Sequence, residues 1–115
     1  ADEAAWLAEI GAPKNTALWR PSAVDIDSAA FSVIVGPAKY TAGGKPVGTI
    51  FDVTKGSFQE FKSGSSVLDS SYQLRLQTYS SLKTDTPFSI VTTRPVNPTF
   101  QQWLDRWGVT VAAPK

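Results

Sequence analysis

The side chains able to move protons or hold ions in this chain are carboxylates and hydroxyls. There is no histidine, cysteine or methionine. Without histidine, no side chain has an ordinary pKa near neutral pH, and a serine nucleophile lacks its usual base. Without cysteine there is no disulfide, thiol nucleophile or thiolate metal site, and the redox compartment leaves no trace. Asp25 and Asp27 can present two carboxylates on one side of an extended segment, the beginning of a calcium loop or a glycosidase pair, which Asp52 and Glu60 would complete. A calcium loop needs further oxygen ligands at fixed spacing and a glycine turn, and Ser28-Ala29-Ala30 supplies little of this. A glycosidase pair needs carboxyls roughly 5–10 Å apart in a sugar cleft. Residue order alone does not make these four converge.

Two short strings imitate known chemistry. Ser80-Ser81-Leu82-Lys83 matches a serine–lysine hydrolase pattern. It is expected at a strand end and loop, without the helix and further motifs such enzymes require. Gly43-Gly44-Lys45 resembles a phosphate loop, but Pro46 stands where a magnesium-binding Ser or Thr belongs. The segment reads instead as a hairpin tip. No catalytic residue, metal ligand or cofactor is expected, and the chain is read as a non-enzyme.

Two surfaces are expected to bind. A strand over 71–79 would carry Gln73, Arg75 and Gln77 on its polar face, with Lys39, Tyr40 and Lys45 joining from a neighbouring hairpin. Cationic and aromatic groups on a sheet face suit nucleic acid. The net charge of only +1 weighs against this, because polyanion binders cluster Lys and Arg strongly. The second surface is an N-terminal partner interface of Trp6, Leu7, Ile10, Leu18 and Trp19. The four tryptophans read as core or interface anchors rather than a sugar platform.

The elements that must position these residues follow from periodicity. Trp6, Leu7 and Ile10 form one face of a short helix stopped by Gly11. Residues 12–28 form a proline-bearing arm. Phe31, Val33 and Val35 alternate as a strand. A turn at Gly43-Gly44 leads to a returning strand with Val47, Thr49, Phe51 and Val53. A further turn at Lys55-Gly56 precedes a strand over 57–62, either bulged or covered on both sides, since Phe58 and Phe61 lie on opposite faces. Tyr72, Leu74, Leu76 and Thr78 alternate with Gln73, Arg75 and Gln77, and Phe88 to Thr93 is a further strand. Asn97-Pro98 opens a C-terminal helix whose Phe100, Trp103, Leu104 and Trp107 share a face. Val109 to Val111 can add an edge strand.

The fold expected is α+β: a mainly antiparallel sheet or partly closed sandwich of about five to six strands, with a C-terminal helix packed on it and a short N-terminal helix and arm. Residues 1–28 are the arm and 29–115 the β-rich unit of a single domain. The expected core is Phe31, Val33, Val35, Val47, Phe51, Val53, Leu74, Leu76, Phe88, Ile90, Phe100, Trp103, Leu104 and Trp107. The charged fraction, 18%, is below the ~25% of ordinary soluble domains, which suits a surface packed against other chains. The expected function is a non-enzymatic assembly subunit with protein partners, such as a virion shell, cement or tail component. The alternatives are a nucleic-acid module around Arg75, or an extrinsic subunit docked on a membrane complex. No apolar run approaches the ~20 residues of a span, so membrane insertion is not expected. The start at Ala1 is read as initiator removal or targeting-peptide cleavage, with a soluble, virion or extracytoplasmic location.

Overall fold

Ser22 and Ser28 each begin a helix, because their hydroxyls accept the backbone N–H three residues on. Ser22 and Asp25 form a reciprocal capping box that opens α1, Ala23–Asp27; Ser28 opens α2, Ala29–Ile34. Such caps satisfy donors that a first helical turn leaves orphaned. The structure, a computed structural model, describes residues 15, 17–54 and 57–114. The remaining elements are β1 (Phe58–Lys62), α3 (Tyr72–Lys83), β2 (Phe88–Thr92), α4 (Pro98–Arg106) and β3 (Thr110–Ala112). The helix expected over Trp6, Leu7 and Ile10, and the turn expected at Lys55-Gly56, lie outside the described residues.

The sheet is three-stranded in the order β1-β2-β3, and both pairings are parallel. This overturns the expected antiparallel sheet of five to six strands. Parallel neighbours cannot be joined by a hairpin and need a crossover. Here α3 crosses from β1 to β2, and α4 from β2 to β3. Two of the expected strands are helices. Over 73–77 the residues are Gln, Leu, Arg, Leu and Gln, which form helices well, and Ser71 caps the Leu74 amide. The alternation there is not a half-buried strand. It comes from a helix covered around most of its girth, with Leu74, Leu76, Gln77, Thr78, Tyr79, Ser80 and Ser81 all buried. Likewise Phe31, Ile34 and Val35 share a helical face, and Val33 is 62% exposed.

The expected returning strand reduces to isolated antiparallel bridges: Trp19 with Thr49, Tyr40 with Pro46, and Val53 with Gln59. The turn before it forms as expected. Thr41 and Lys45 close it, and Gly44 takes φ 81°, a conformation glycine adopts without strain. The strands over 58–62 and 88–92, and the C-terminal helix, also stand where periodicity puts them. Asn97 Oδ1 accepts the Thr99 and Phe100 amides, with Pro98 in the first turn.

The core has three parts. Phe51, Leu68, Leu74, Phe88, Ile90, Phe100, Leu104 and Val109 fill the space between one sheet face and helices α3 and α4. Phe31, Ile34, Val35, Leu76 and Tyr79 join α2 to the far side of α3. Val53 and Phe61, with Val91 against them, cover the opposite sheet face. Strand β1 is therefore covered on both sides. Val47, Trp103 and Trp107, expected in the core, are only half-buried.

Candidate functional site

Side chains two apart on a strand share a face, so Phe58, Glu60 and Lys62 point toward α3. Phe58 packs there against the core, and the two charged residues meet at 3.2 Å, Lys62 Nζ to Glu60 Oε2. The Val53–Gln59 bridge sets the register of the preceding segment and places Asp52 opposite Glu60. Directly opposed antiparallel residues point to the same face with Cβ atoms about 5 Å apart. Asp52 Oδ2 accepts the Phe61 amide at 2.7 Å, which pins that carboxylate.

Helix α3 closes the site from above. Gln73 in its first turn donates from Nε2 to Glu60 Oε2 and accepts from Lys62 Nζ, both at 3.4 Å. Gln77, one turn further along, lies against the Glu60 carboxylate and is fully buried. Burial pushes the Glu60 carboxyl up from 4.5 to about 7, and the facing Asp52 pushes the same way. Lys62 and the Gln77 amide pull it partly back.

Glu60 Oε1 and both amide atoms of Gln77 are buried without a hydrogen-bond partner; the other such atoms among the described residues are Thr49 Oγ1 and Trp107 Nε1. Buried polar atoms are nearly always paired; here Glu60 Oε1 and the Gln77 amide lie against each other without closing a hydrogen bond. Among the described residues no three or more His, Cys, Asp or Glu side chains gather into a metal-binding cluster. Two carboxylates suffice, however, for an ion that keeps waters and takes further ligands from a phosphate.

Beyond the C-terminal ends of β1 and β2 lies a half-open groove of about 300 Å³, which shares Lys62 and Gln73 with the site. Its wall is built from the loops that follow the two strands. Leu68 N–H donates to Pro95 O, Asn97 N–H to Leu68 O, and Arg94 donates to the Ser66 and Val67 carbonyls. Open α/β sheets bind ligands beyond the strand C-termini where the strand order reverses; the order β1-β2-β3 has no reversal, so this groove is shaped by the two loops alone.

The residues expected to form a nucleic-acid face divide between two sides of α3, because the segment is helical. Gln73 and Gln77 reach Glu60. Arg75 turns away, donating to Val35 O and Ser70 Oγ, and shares the Tyr72 ring with Lys39 at 5.9 and 5.1 Å. Tyr40 and Lys45 are exposed around the Gly43-Gly44 turn. Trp19 is half-buried, bridged to Thr49 and tilted against Tyr79 at 6.3 Å; Leu18 is 50% exposed. Trp6, Leu7 and Ile10 lie outside the described residues. Asp25 does not join Asp52 and Glu60. It is buried between Ser22, Tyr79 and Lys83, and Asp27 is exposed. Ser80 and Ser81 are buried in the last turns of α3 rather than in a loop, and Lys83 is held by Asp25.

One legible signal pointed to this site: Asp52 and Glu60 each lie four residues from Gly56 in the expected Lys55-Gly56 turn, and Lys62 follows two residues on. Gln73 and Gln77 join them only once that segment is helical, at a spacing of four.

No protein-family model matches the chain, and neither a curated protein nor a solved structure matches it. Among the described residues no helix is long and apolar enough to cross a membrane.

Proposed function

We propose that the chain hydrolyses phosphodiester bonds of nucleic acid with a divalent cation held between Asp52 and Glu60. The observation that carries this reading is the buried Glu60 carboxylate, facing a second carboxylate, with Oε1 and the adjacent Gln77 amide in contact but closing no hydrogen bond. The Lys62 ammonium already lies against Glu60, so positive charge is favoured at that spot. A cation bound there would polarise a phosphoryl oxygen and make its water a better nucleophile. Asp52 and Glu60 would hold it, and Gln77 would orient the inner oxygen of Glu60. Lys62, released from Glu60, would donate to a non-bridging phosphate oxygen, where negative charge builds as water attacks phosphorus; the water would give its proton to solvent and the departing ester oxygen would take one from solvent. Gln73 ties the positions of Glu60 and Lys62 together.

Incubation of a labelled oligonucleotide with the chain and Mn²⁺ or Mg²⁺ tests this. Cleavage abolished by chelation, and reduced by about a hundredfold or more in Asp52→Asn, Glu60→Gln and Lys62→Ala, is the expected result. Cleavage that survives all three substitutions, or none under any cation, sinks the reading.

A second reading has its own observation. Leu18, Val24 and Val33 are 50%, 81% and 62% exposed on the N-terminal side of the chain, which favours a protein-contact surface and an assembly role. Light scattering with size exclusion tests that; a strict monomer at high concentration with no co-purifying partner counts against it.

A further inference from the structure

We infer that the groove beyond the strand ends seats one unstacked nucleotide, so that the chain selects single-stranded nucleic acid over duplex. This deepens the phosphodiester reading above and rests on it for the choice of ligand. The argument begins with continuity. Lys62 and Gln73 belong both to the Asp52–Glu60 site and to the groove wall, so a strand whose phosphate lies at Lys62 has its next unit over the groove.

The lining then matches the parts of that unit. Val67, Leu68 and Leu74 make an apolar floor, suited to the face of a base or sugar. Val67 is 52% exposed and Leu68 and Leu74 are buried, so the floor is firm and its upper edge is open. Arg94 and Lys62 bring positive charge to the wall, where a phosphate would lie; Asp69 adds one negative charge to the same lining, and Lys62 must leave Glu60 to reach the phosphate. Asp69 in the lining offers a carboxylate acceptor for base amino or sugar hydroxyl groups, whereas the Ser71 hydroxyl already accepts the Leu74 amide. Arg94 spends donors on the Ser66 and Val67 carbonyls, which fixes the wall before any ligand arrives.

Size decides between strand forms. A volume of about 300 Å³ is at the small end for ligand sites and cannot take a paired duplex. A duplex would have to expel a base from its stack, at a cost of a few kcal/mol, whereas a single strand has little of this to overcome.

The test is fluorescence anisotropy of a labelled single-stranded oligonucleotide against the same sequence as a blunt duplex, in Ca²⁺. Hydrolysis of bis(p-nitrophenyl) phosphate in Mn²⁺ is measured separately. The expected result is single-strand binding about tenfold or more tighter than duplex binding. Val67→Trp, which fills the groove, and Val67→Glu, which repels phosphate, should each erase that preference. Val33→Trp, an exposed site on α2, should keep it. Equal affinity for the two forms in the unmodified chain, or a preference that survives both Val67 substitutions, overturns the inference. Absence of small-diester hydrolysis alongside a Val67-dependent single-strand preference refutes the catalytic reading while supporting the groove as a strand seat.

Discussion

Glu60 and Lys62 leave the same face of β1 two residues apart and close an ion pair at 3.2 Å beneath the first turns of α3. The pair is not isolated, because Asp52 faces it and pushes the Glu60 carboxyl further up, to about 7. A cation must displace the proton from Glu60, so its affinity is expected to rise as pH increases through about 7 and to level above it. Calorimetric titration with Mn²⁺ in buffers of different ionisation enthalpy checks this; below neutral pH, binding should release protons. The same shift acts on folding. The folded form holds this proton between the unfolded value near 4.5 and about 7, so its contribution to stability is complete below 4.5 and is lost as pH rises through 7. Glu60→Gln removes that loss and should gain on the order of 2–3 kcal/mol relative to the unmodified chain at about pH 8, and far less at about pH 4. Urea unfolding at the two pH values reads the difference.

Gln77 offers a contrast between stability and function. Its amide is buried with neither atom paired, and an unsatisfied buried amide costs about 1–3 kcal/mol. Gln77→Leu, similar in volume, should therefore raise the unfolding midpoint while weakening cation binding. A loss of stability in this variant would show that the amide is satisfied in solution.

Asp25 is expected to anchor the helix pair α1–α2 against the end of α3. Burial raises its pKa, but the bonds from Lys83, the Ser22 amide, Tyr79 and the Ser22 hydroxyl outweigh that and hold it near 2 rather than 3.8. A depressed carboxylate stabilises the fold above its unfolded pKa, and the contribution disappears as pH falls through about 2. Because Lys83 is half-exposed, the loss in Asp25→Asn is set at about 1–2 kcal/mol near pH 7, after discounting for solvent screening. Denaturant curves of the two proteins should converge at about pH 2.

Gly48 is expected to resist any side chain. A Cβ there would lie 2.4 Å from the Trp19 carbonyl oxygen and 2.7 Å from Arg20 Cγ, and the Trp19–Thr49 bridge runs past this point with bonds of 2.8 Å in both directions. Gly48→Ala must push the Trp19 backbone away, at a cost of about 1–3 kcal/mol. Thermal unfolding measures it, and faster amide exchange at Trp19 and Thr49 would locate the damage.

Local signals were enough for several elements, each for a local reason. Asn97-Pro98 stops and starts the backbone by itself, Gly43-Gly44 permits the positive φ of a turn, and Phe88, Ile90 and Thr92 alternate because one face of β2 is buried more deeply than the other. The low charge and the missing imidazole and thiol groups are likewise properties of the residues themselves.

Tertiary structure decided the rest. The segment Tyr72–Lys83 carries an alternating pattern that a strand and an enclosed helix can both satisfy. Its packing between the sheet and α2, together with the Ser71 cap, selects the helix, and that selection makes the sheet parallel, since its strands must then be joined by crossovers. The same choice creates the candidate site. Asp52, Glu60 and Lys62 are close through strand register, but Gln73 and Gln77 reach them only from a helix lying over β1. The groove exists only where two loops far apart in sequence, at Val67–Leu68 and Arg94–Val96, are held together. Contacts between distant segments carry no periodicity, so the order of residues could show which groups were available but not which of them would meet.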